Sequence, residues 1–205
     1  MIVSQKVTPT GMSQLEEYRV DNAIILAAGM ATRFVPFSYE FPKGLTVVKG
    51  EVLIERQIRQ LQSAGVKEIV VVVGHMLEKF FYLKEKFGVK LVVNNDYNTR
   101  NTHSSAFAAR DYFKNTYICC SDNYYPENLF KPYEYRSMYC AQFLEGESRT
   151  GRGLITDDSG LIIATEKPCQ NAWTMQGHAF FNSEFSKRFK KILEEYYNRP
   201  GQRFS

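Results

Sequence analysis

A loop of small residues with two basic side chains is the part of this sequence best suited to chemistry. Small side chains let the backbone approach a triphosphate closely, so that successive amide N–H groups can point at its oxygens. Arg33 within the loop and Lys43 after it would offset the negative charge of those phosphates. We therefore expect a nucleoside triphosphate site with Arg33 and Lys43 as catalytic groups. The loop residues expected to bind the nucleotide are Leu26, Ala27, Ala28, Gly29 and Thr32.

This loop differs from the commoner phosphate-binding loops. The sequence contains neither G-x-x-x-x-G-K-[ST] nor G-x-G-x-x-G. A lone Lys or Arg is usually a solvated surface charge, which is the structural alternative for both basic residues. The functional interpretation is favoured because Arg33 lies in a small-residue loop directly after a predicted strand and Lys43 follows Pro42.

A carboxylate at the end of a second predicted strand supplies the other half of the chemistry. Asp122 follows the apolar run at residues 116–120, and open α/β sheets bind ligands at the carboxyl ends of their strands. Phosphate transfer needs a cation that bridges phosphate oxygens, and Mg²⁺ prefers carboxylates while it keeps several waters. Asp122 is therefore the predicted Mg²⁺ ligand and a third catalytic residue. The alternative is that Asp122 only caps the turn after the strand.

The elements that must position these residues alternate between short apolar runs and helical periods, which is typical of β-α units on a mainly parallel sheet. Strands are predicted at residues 23–26, 68–73, 89–93 and 116–120. Helices are predicted from about residue 52 to a stop at Gly65, at residues 76–87 with a stop at Gly88, and from a Ser104 or Ser105 cap through residue 113.

Beyond residue 133 the pattern is richer in β-strands. Strands are predicted at residues 138–144, 154–156, 161–163 and 177–181, followed by a helix at residues 183–197. We expect an α/β fold with a doubly wound, mainly parallel, Rossmann-like sheet and a β-rich C-terminal part. Residues 1–20 are expected to be an N-terminal appendage with a short capped helix, which resembles the end of a winged-helix domain, and residues 21–205 the main domain.

The pattern L-A-A-G-x-x-[ST]-R followed by P-K-x-L resembles the signature of nucleotidyltransferases that make nucleotide-activated sugars and alcohols. It occupies residues 26–33 and 42–45, and the resemblance extends over about residues 21–197. Within this family the sequence is most similar to bacterial CTP:phosphocholine cytidylyltransferases. The resemblance implies a transferase that joins CTP to phosphocholine, releases pyrophosphate and uses Mg²⁺. It also implies that the metal ligand is the Asp of Asp122-Asn123-Tyr124.

The resemblance implies further binding residues. Asn94, Asn101 and Ser105 match family positions at which side chains contact the nucleotide or organise the phosphate loop. An amide suits a base edge because it offers a donor and an acceptor together. Ordinary turn chemistry is the alternative for each of the three.

Recognition of choline would require aromatic side chains, because a quaternary ammonium binds by cation–π attraction and cannot donate hydrogen bonds. Tyr124 and Trp173 are the expected substrate-binding residues. Tyr125 and Phe180 are further candidates, and core packing is the alternative for all four.

One departure from the family keeps other functions open. The family has a second metal carboxylate in an aromatic-acidic motif after its last helix, and these 205 residues contain no such motif. We therefore expect a fragment of a longer protein. The rival hypotheses are a sugar-1-phosphate nucleotidyltransferase and a non-catalytic, nucleotide-binding regulatory domain.

Composition and charge favour a cytoplasmic protein that acts on a small anion. The net charge of +4 is spread along the chain, unlike the Lys/Arg runs that follow a nucleic-acid backbone. The longest apolar run, residues 69–73, is too short to span a bilayer. The four cysteines show no C-x-x-C spacing and are expected to be reduced thiols. We expect no nucleic-acid or membrane partner, and the sequence leaves the oligomeric state open.

Overall fold

The computed structural model describes residues 2–3, 6–32 and 35–199 of the 205-residue chain. The chain divides into two units, of which the first comprises Met1–Ser137 with Phe180–Ser205 and the second comprises Met138–Ala179. Arg33 lies outside the described residues. None of the helices in the described part of the chain is long and apolar enough to cross a membrane.

The strands of the first unit include a parallel sheet of four. The two short N-terminal strands pair with each other, as do β4 and β5, and both pairs are antiparallel. The parallel strands lie in the order β7-β6-β3-β8. The strand bounds are Ile2–Val3 (β1), Lys6–Val7 (β2), Asn22–Ala27 (β3), Val47–Val48 (β4), Glu51–Val52 (β5), Glu68–Val73 (β6), Lys90–Val93 (β7) and Thr116–Cys120 (β8).

The parallel sheet is buried on both faces, which explains why its central strands read as continuous apolar runs. Ile24 and Ile25 point to opposite faces, and neither has exposed surface. Ile24 packs in a cluster with Val70, Val72 and Ala109. The predicted α/β class and parallel sheet are confirmed.

The described residues of the first unit form five α-helices. Their bounds are Pro9–Leu15 (α1), Leu53–Ser63 (α2), Tyr82–Phe87 (α3), His103–Ala108 (α4) and Ser183–Tyr197 (α5). Helix α2 buries the apolar stripe predicted for it and ends before Gly65, whose φ is +85°. Helix α5 begins at the predicted residue because the Asn182 side chain accepts a hydrogen bond from the Phe185 N–H.

Two predicted helices are shorter than expected. In the first, a 3₁₀ helix covers Leu77–Phe80 after Met76, whose φ of 51° is left-handed, and only Tyr82–Phe87 is α-helical. In the second, Ser104 and Ser105 lie inside α4 and accept hydrogen bonds from the Asn94 side chain, so that neither acts as the predicted cap. After Ala108 that segment tightens into a 3₁₀ turn at Arg110–Tyr112.

The N-terminal segment contains the predicted capped helix. The Thr8 hydroxyl accepts a hydrogen bond from the Gly11 N–H at 3.1 Å. After α1, the Val20 N–H donates to the Pro132 carbonyl at 3.0 Å. The origin of residues 1–20 in a winged-helix domain stays a prediction.

The second unit is the predicted β-rich part. Its strands are Met138–Ser148 (β9), Gly153–Thr156 (β10), Ile162–Glu166 (β11) and Cys169–Phe181 (β12), and β12 continues into the first unit at Phe180. Strands β11, β10 and β12 are neighbours in that order, and β9 also pairs with β12. The Asp157 side chain accepts hydrogen bonds from the backbone N–H groups of Ser159 and Leu161, which closes the predicted turn between β10 and β11. Strand β12 is longer than the five residues expected.

Candidate active site

The two segments expected to carry the chemistry lie side by side at the carboxyl edge of the parallel sheet. Leu26 of β3 is in register with Cys120 of β8. The Ser121 N–H extends this ladder by donating to the Leu26 carbonyl at 3.1 Å. The small-residue loop and the turn that holds Asp122 therefore leave adjacent strand ends in the same direction, as predicted.

The small residues of the loop serve two different purposes. Ala27 and Ala28 are buried, and Ala28 packs in the same cluster as Ile24. The Ala28 carbonyl accepts a hydrogen bond from the His75 N–H at 3.1 Å, which ties the loop to the chain that leaves β6. A Cβ built on Gly29 would meet no atom of the described residues within 4 Å. The alanines are thus small because they pack closely, whereas Gly29 keeps the backbone open to a ligand.

The rest of the predicted loop is only partly described. Leu26 is half-buried in β3 and Thr32 is exposed. Ala31 has a left-handed φ of 50°, so the chain turns sharply after Gly29. Arg33 lies outside the described residues, and its predicted role stays a prediction.

Lys43 and Asp122 form an ion pair at the edge of the sheet. The Lys43 ammonium donates to Asp122 Oδ2 at 2.9 Å, with 41% and 35% of the two side chains exposed. Lys43 begins a 3₁₀ turn, Lys43–Leu45, in which the Leu45 N–H donates to the Pro42 carbonyl. The next residue, Gly44, lies so close to Ser121 that a Cβ on it would be 2.8 Å from the serine Cβ and Oγ. Only glycine allows this approach, which places Lys43 over Asp122.

The thiol next to this ion pair is held in its neutral form. Burial raises the pKa of Cys120 to about 11, and the negative charge of Asp122 contributes in the same direction. Because the thiolate is the nucleophilic form of cysteine, Cys120 is a poor nucleophile at neutral pH.

The predicted Asn94, Asn101 and Ser105 belong to one hydrogen-bonded loop. The buried Asn94 amide donates to the hydroxyls of Ser104 and Ser105 at 2.9 and 3.0 Å, and its oxygen accepts from the Asp96 N–H. The exposed Asn101 accepts from the Thr102 N–H through its side-chain oxygen. Both donors of Asn94 are used within the protein, which favours the organising role over contact with a base.

The aromatic candidates divide into core residues and exposed residues. Phe180 has no exposed surface and packs against the ring of Tyr117 at 5.3 Å, and Tyr125 is also buried. Both are core residues, which confirms the core-packing alternative for these two. The sequence could not distinguish them, because core and ligand-binding aromatics have the same residue types.

The two expected substrate-binding aromatics, Tyr124 and Trp173, lie in different units. In the first unit, the Tyr124 ring already has the Arg56 guanidinium 4.8 Å and the Lys49 ammonium 5.4 Å from its centroid. In the second unit, Trp173 is 56% exposed and meets Phe143 edge to face at 5.6 Å. Two cations of the protein already lie against the Tyr124 ring, so its role in substrate binding stays a prediction, whereas Trp173 is accessible.

Metal binding at this edge would rest on Asp122. Across the described ranges, no group of three or more His, Cys, Asp or Glu side chains could hold a metal ion. Mg²⁺ does not require such a cage, because it is usually bound by one or two carboxylates together with substrate phosphates and waters. A partly exposed Asp122 beside the open Gly29 backbone fits a cation that arrives with a triphosphate.

Comparisons with known proteins define the class of protein. A family model described as a MobA-like NTP transferase domain matches residues 23–125. The chain belongs to this family and is a nucleotidyltransferase. The matched residues include the Gly29 loop, Lys43 and Asp122.

Three relatives make the similarity more specific. A 2-aminoethylphosphonate cytidylyltransferase of Lancefieldella rimae is 37% identical over 88% of this chain and 74% of its own length. A choline-phosphate cytidylyltransferase of Streptococcus pneumoniae is 41% identical over 60% of this chain, and the chain spans only 54% of that relative. The solved structure of a CTP:phosphocholine cytidylyltransferase from Streptococcus pneumoniae superposes with a TM-score of 0.83 and 32% identity, and covers 87% of this chain and 78% of its own.

Proposed function

We propose that this protein transfers a cytidylyl group from CTP to a small phosphorylated acceptor, with phosphocholine as the preferred acceptor, and releases pyrophosphate. The observation that carries the proposal is the Lys43–Asp122 pair beside the open Gly29 backbone at the carboxyl edge of the sheet. This edge combines backbone N–H groups, a cation and a carboxylate, which together suit a triphosphate and its metal.

The reaction places few chemical demands on the protein. An oxygen of the acceptor phosphate attacks the α-phosphorus of CTP and forms a new P–O bond. The bond from the α-phosphorus to the bridging oxygen breaks, and the electron pair leaves with pyrophosphate. An ionised phosphate oxygen needs no base, so the protein acts by positioning the reactants and offsetting charge.

Lys43 and the loop would perform this work. The Lys43 ammonium lies on a partly exposed side chain and could move from Asp122 to the phosphates of CTP. The backbone at Gly29 would donate to phosphate oxygens, and Arg33 would add a second positive charge. Mg²⁺, when bound at Asp122, would neutralise charge on the phosphate oxygens.

The chemistry of the acceptor is suggested by what the relatives share. 2-Aminoethylphosphonate and choline phosphate both join an anionic phosphorus group to a two-carbon chain that ends in nitrogen. The exposed ring of Trp173 supports binding of such a nitrogen. Phosphocholine has a quaternary nitrogen, whereas 2-aminoethylphosphonate has an amine that can donate hydrogen bonds. An aromatic surface favours the quaternary nitrogen.

Pyrophosphate release with a panel of substrates tests the proposal. CTP, UTP and dTTP are each combined with phosphocholine, 2-aminoethylphosphonate or glucose 1-phosphate in the presence of Mg²⁺, and the products are identified by mass spectrometry. The highest kcat/KM is expected with CTP and phosphocholine, which form CDP-choline.

Three other outcomes would overturn parts of the proposal. Preference for 2-aminoethylphosphonate would retain cytidylyl transfer and replace the acceptor. Preference for glucose 1-phosphate would establish the sugar-1-phosphate hypothesis. Nucleotide binding by calorimetry without pyrophosphate release from any pair would indicate the non-catalytic hypothesis.

A further inference from the structure

The turn that carries Asp122 is closed by a weak hydrogen bond of its own. The chain reverses over residues 120–123, with Ser121 and Asp122 at the two central positions. The Asn123 N–H donates to the Cys120 carbonyl at 3.4 Å, which is beyond the usual range for a backbone hydrogen bond. The backbone of the turn alone therefore fixes the Asp122 carboxylate poorly.

A side chain from helix α2 joins the two ends of this turn. The Gln57 amide donates to the Cys120 carbonyl at 2.8 Å and to the Asn123 carbonyl at 3.0 Å. Both amide hydrogens are thus used on the two residues that bracket Ser121 and Asp122. Gln57 is 1% exposed, so solvent does not compete with these bonds.

The polarity of Gln57 is not explained by packing alone. Its Oε1 atom is buried and has no hydrogen-bond partner among the described residues. An unpaired buried acceptor destabilises a fold, and an apolar side chain of the same size would avoid that cost. An amide at this position is explained if the turn must be held in one conformation.

We propose that Gln57 is a positioning residue that orients the Asp122 carboxylate toward the metal-bound triphosphate. The inference rests on the proposed function, because it assigns Gln57 a role through Asp122. Residues that orient metal ligands typically contribute about 10–100-fold to metal affinity or activity. Gln57 touches neither nucleotide nor acceptor in this account.

Helix α2 supplies a matched control one turn further along. The Gln60 amide donates to the carbonyls of Tyr125 and Glu127, each at 3.2 Å, and its Oε1 atom is also buried without a partner in the described part of the chain. Gln60 thus makes the same number of bonds to the same segment, but beyond the Asp122 turn. Methionine is a close match in length and shape for both glutamines and removes the donors.

The experiment measures metal binding as well as turnover. Mn²⁺ is titrated into each protein with CTP present and followed by electron paramagnetic resonance, and kcat is measured with CTP and phosphocholine. Gln57→Met is expected to weaken Mn²⁺ binding and to lower kcat by about tenfold or more, while CTP affinity without metal is unchanged. Gln60→Met is expected to match the wild-type protein in all three measurements.

The outcomes separate this inference from the proposed function. Equal Mn²⁺ affinity in Gln57→Met and Gln60→Met would overturn the role of Gln57 even if the wild-type protein is active. Unchanged Mn²⁺ binding by Asp122→Asn would remove Asp122 as the metal ligand and overturn the inference with it. If Gln57→Met does not fold, Gln57→Leu removes the donors without burying a charge, and the same weakening of Mn²⁺ binding is expected.

Discussion

Replacement of Lys43 by methionine is expected to remove most of the activity while it leaves the fold nearly intact. The Lys43 pair with Asp122 is partly exposed, and exposed ion pairs contribute about 0.2–1 kcal/mol to the free energy of unfolding. For a chain of this size, the melting temperature should therefore fall by less than about 4 °C. Loss of one preorganised charge at the reacting phosphates should reduce kcat/KM by about 10²–10³.

A second ion pair of the same kind provides the control. Lys190 donates to Asp111 at 2.7 Å, and 37% of the Lys190 side chain is exposed. Asp111 precedes β8 and so lies away from the carboxyl edge where Asp122 follows that strand. Lys190→Met should lower the melting temperature by a similar amount and leave kcat/KM unchanged.

The assay combines thermal unfolding with initial rates of CDP-choline formation for the two variants and the wild-type protein. A Lys43→Met variant as active as Lys190→Met would refute the assignment of Lys43. A Lys43→Met variant that melts far below Lys190→Met would show that Lys43 is needed for the fold and that its loss of activity is indirect.

Three further predictions follow from single features of the chain. Gly44→Ala should lower kcat and destabilise the fold by about 1–3 kcal/mol, because the added Cβ would lie 2.8 Å from Ser121. Gly29→Ala, whose Cβ meets no described atom within 4 Å, should keep the melting temperature and weaken CTP binding in calorimetry. Wild-type stability of Gly44→Ala would contradict the close contact with Ser121, and wild-type CTP binding by Gly29→Ala would contradict the role of the open backbone. Arg33→Met should weaken CTP binding because it removes a cation from the phosphate loop, and an unchanged dissociation constant would exclude that role. Burial lowers the pKa of His178 to about 4, so the unfolded chain, with a histidine pKa near 6.5, takes up the proton first as the pH falls. Burial of neutral His178 should therefore cost no stability above about pH 6.5 and should lower the free energy of unfolding by about 3 kcal/mol by about pH 4. In urea unfolding, the fall between these two pH values should be smaller by that amount in His178→Leu than in the wild-type protein.

The strands of the parallel sheet could be predicted because the pattern that identifies each of them lies within a short stretch of sequence. Continuous runs such as residues 69–73 are typical of strands buried on both faces, and parallel connections bring their carboxyl ends to one edge. The position of Gly29 and Asp122 at the same edge of the sheet followed from those two facts. The pairing of Lys43 with Asp122 required a coordinate structure, because 79 residues separate the partners.

The contacts that fix the site were not visible in the sequence. Gln57 has the appearance of any polar residue on an amphipathic helix, and its bonds go to backbone carbonyls that have no side-chain signature. Gly44 was part of the recognised motif, but its contact with Ser121 depends on tertiary packing. Ser104 and Ser105 were expected to cap a helix because serine often does so, whereas the buried Asn94 amide engages both hydroxyls.

A single-turnover experiment with CTP labelled at the α-phosphate tests the central claim most directly. The wild-type protein, in excess over CTP and with Mg²⁺ and phosphocholine present, is compared with Asp122→Asn, which keeps the shape of the side chain and loses its charge. The wild-type protein is expected to transfer the label to CDP-choline with one pyrophosphate per product, and Asp122→Asn is expected to be slower by about 10² or more. Equal rates of transfer by the two proteins would contradict the claim that this carboxylate, at the edge shared by β3 and β8, carries the chemistry.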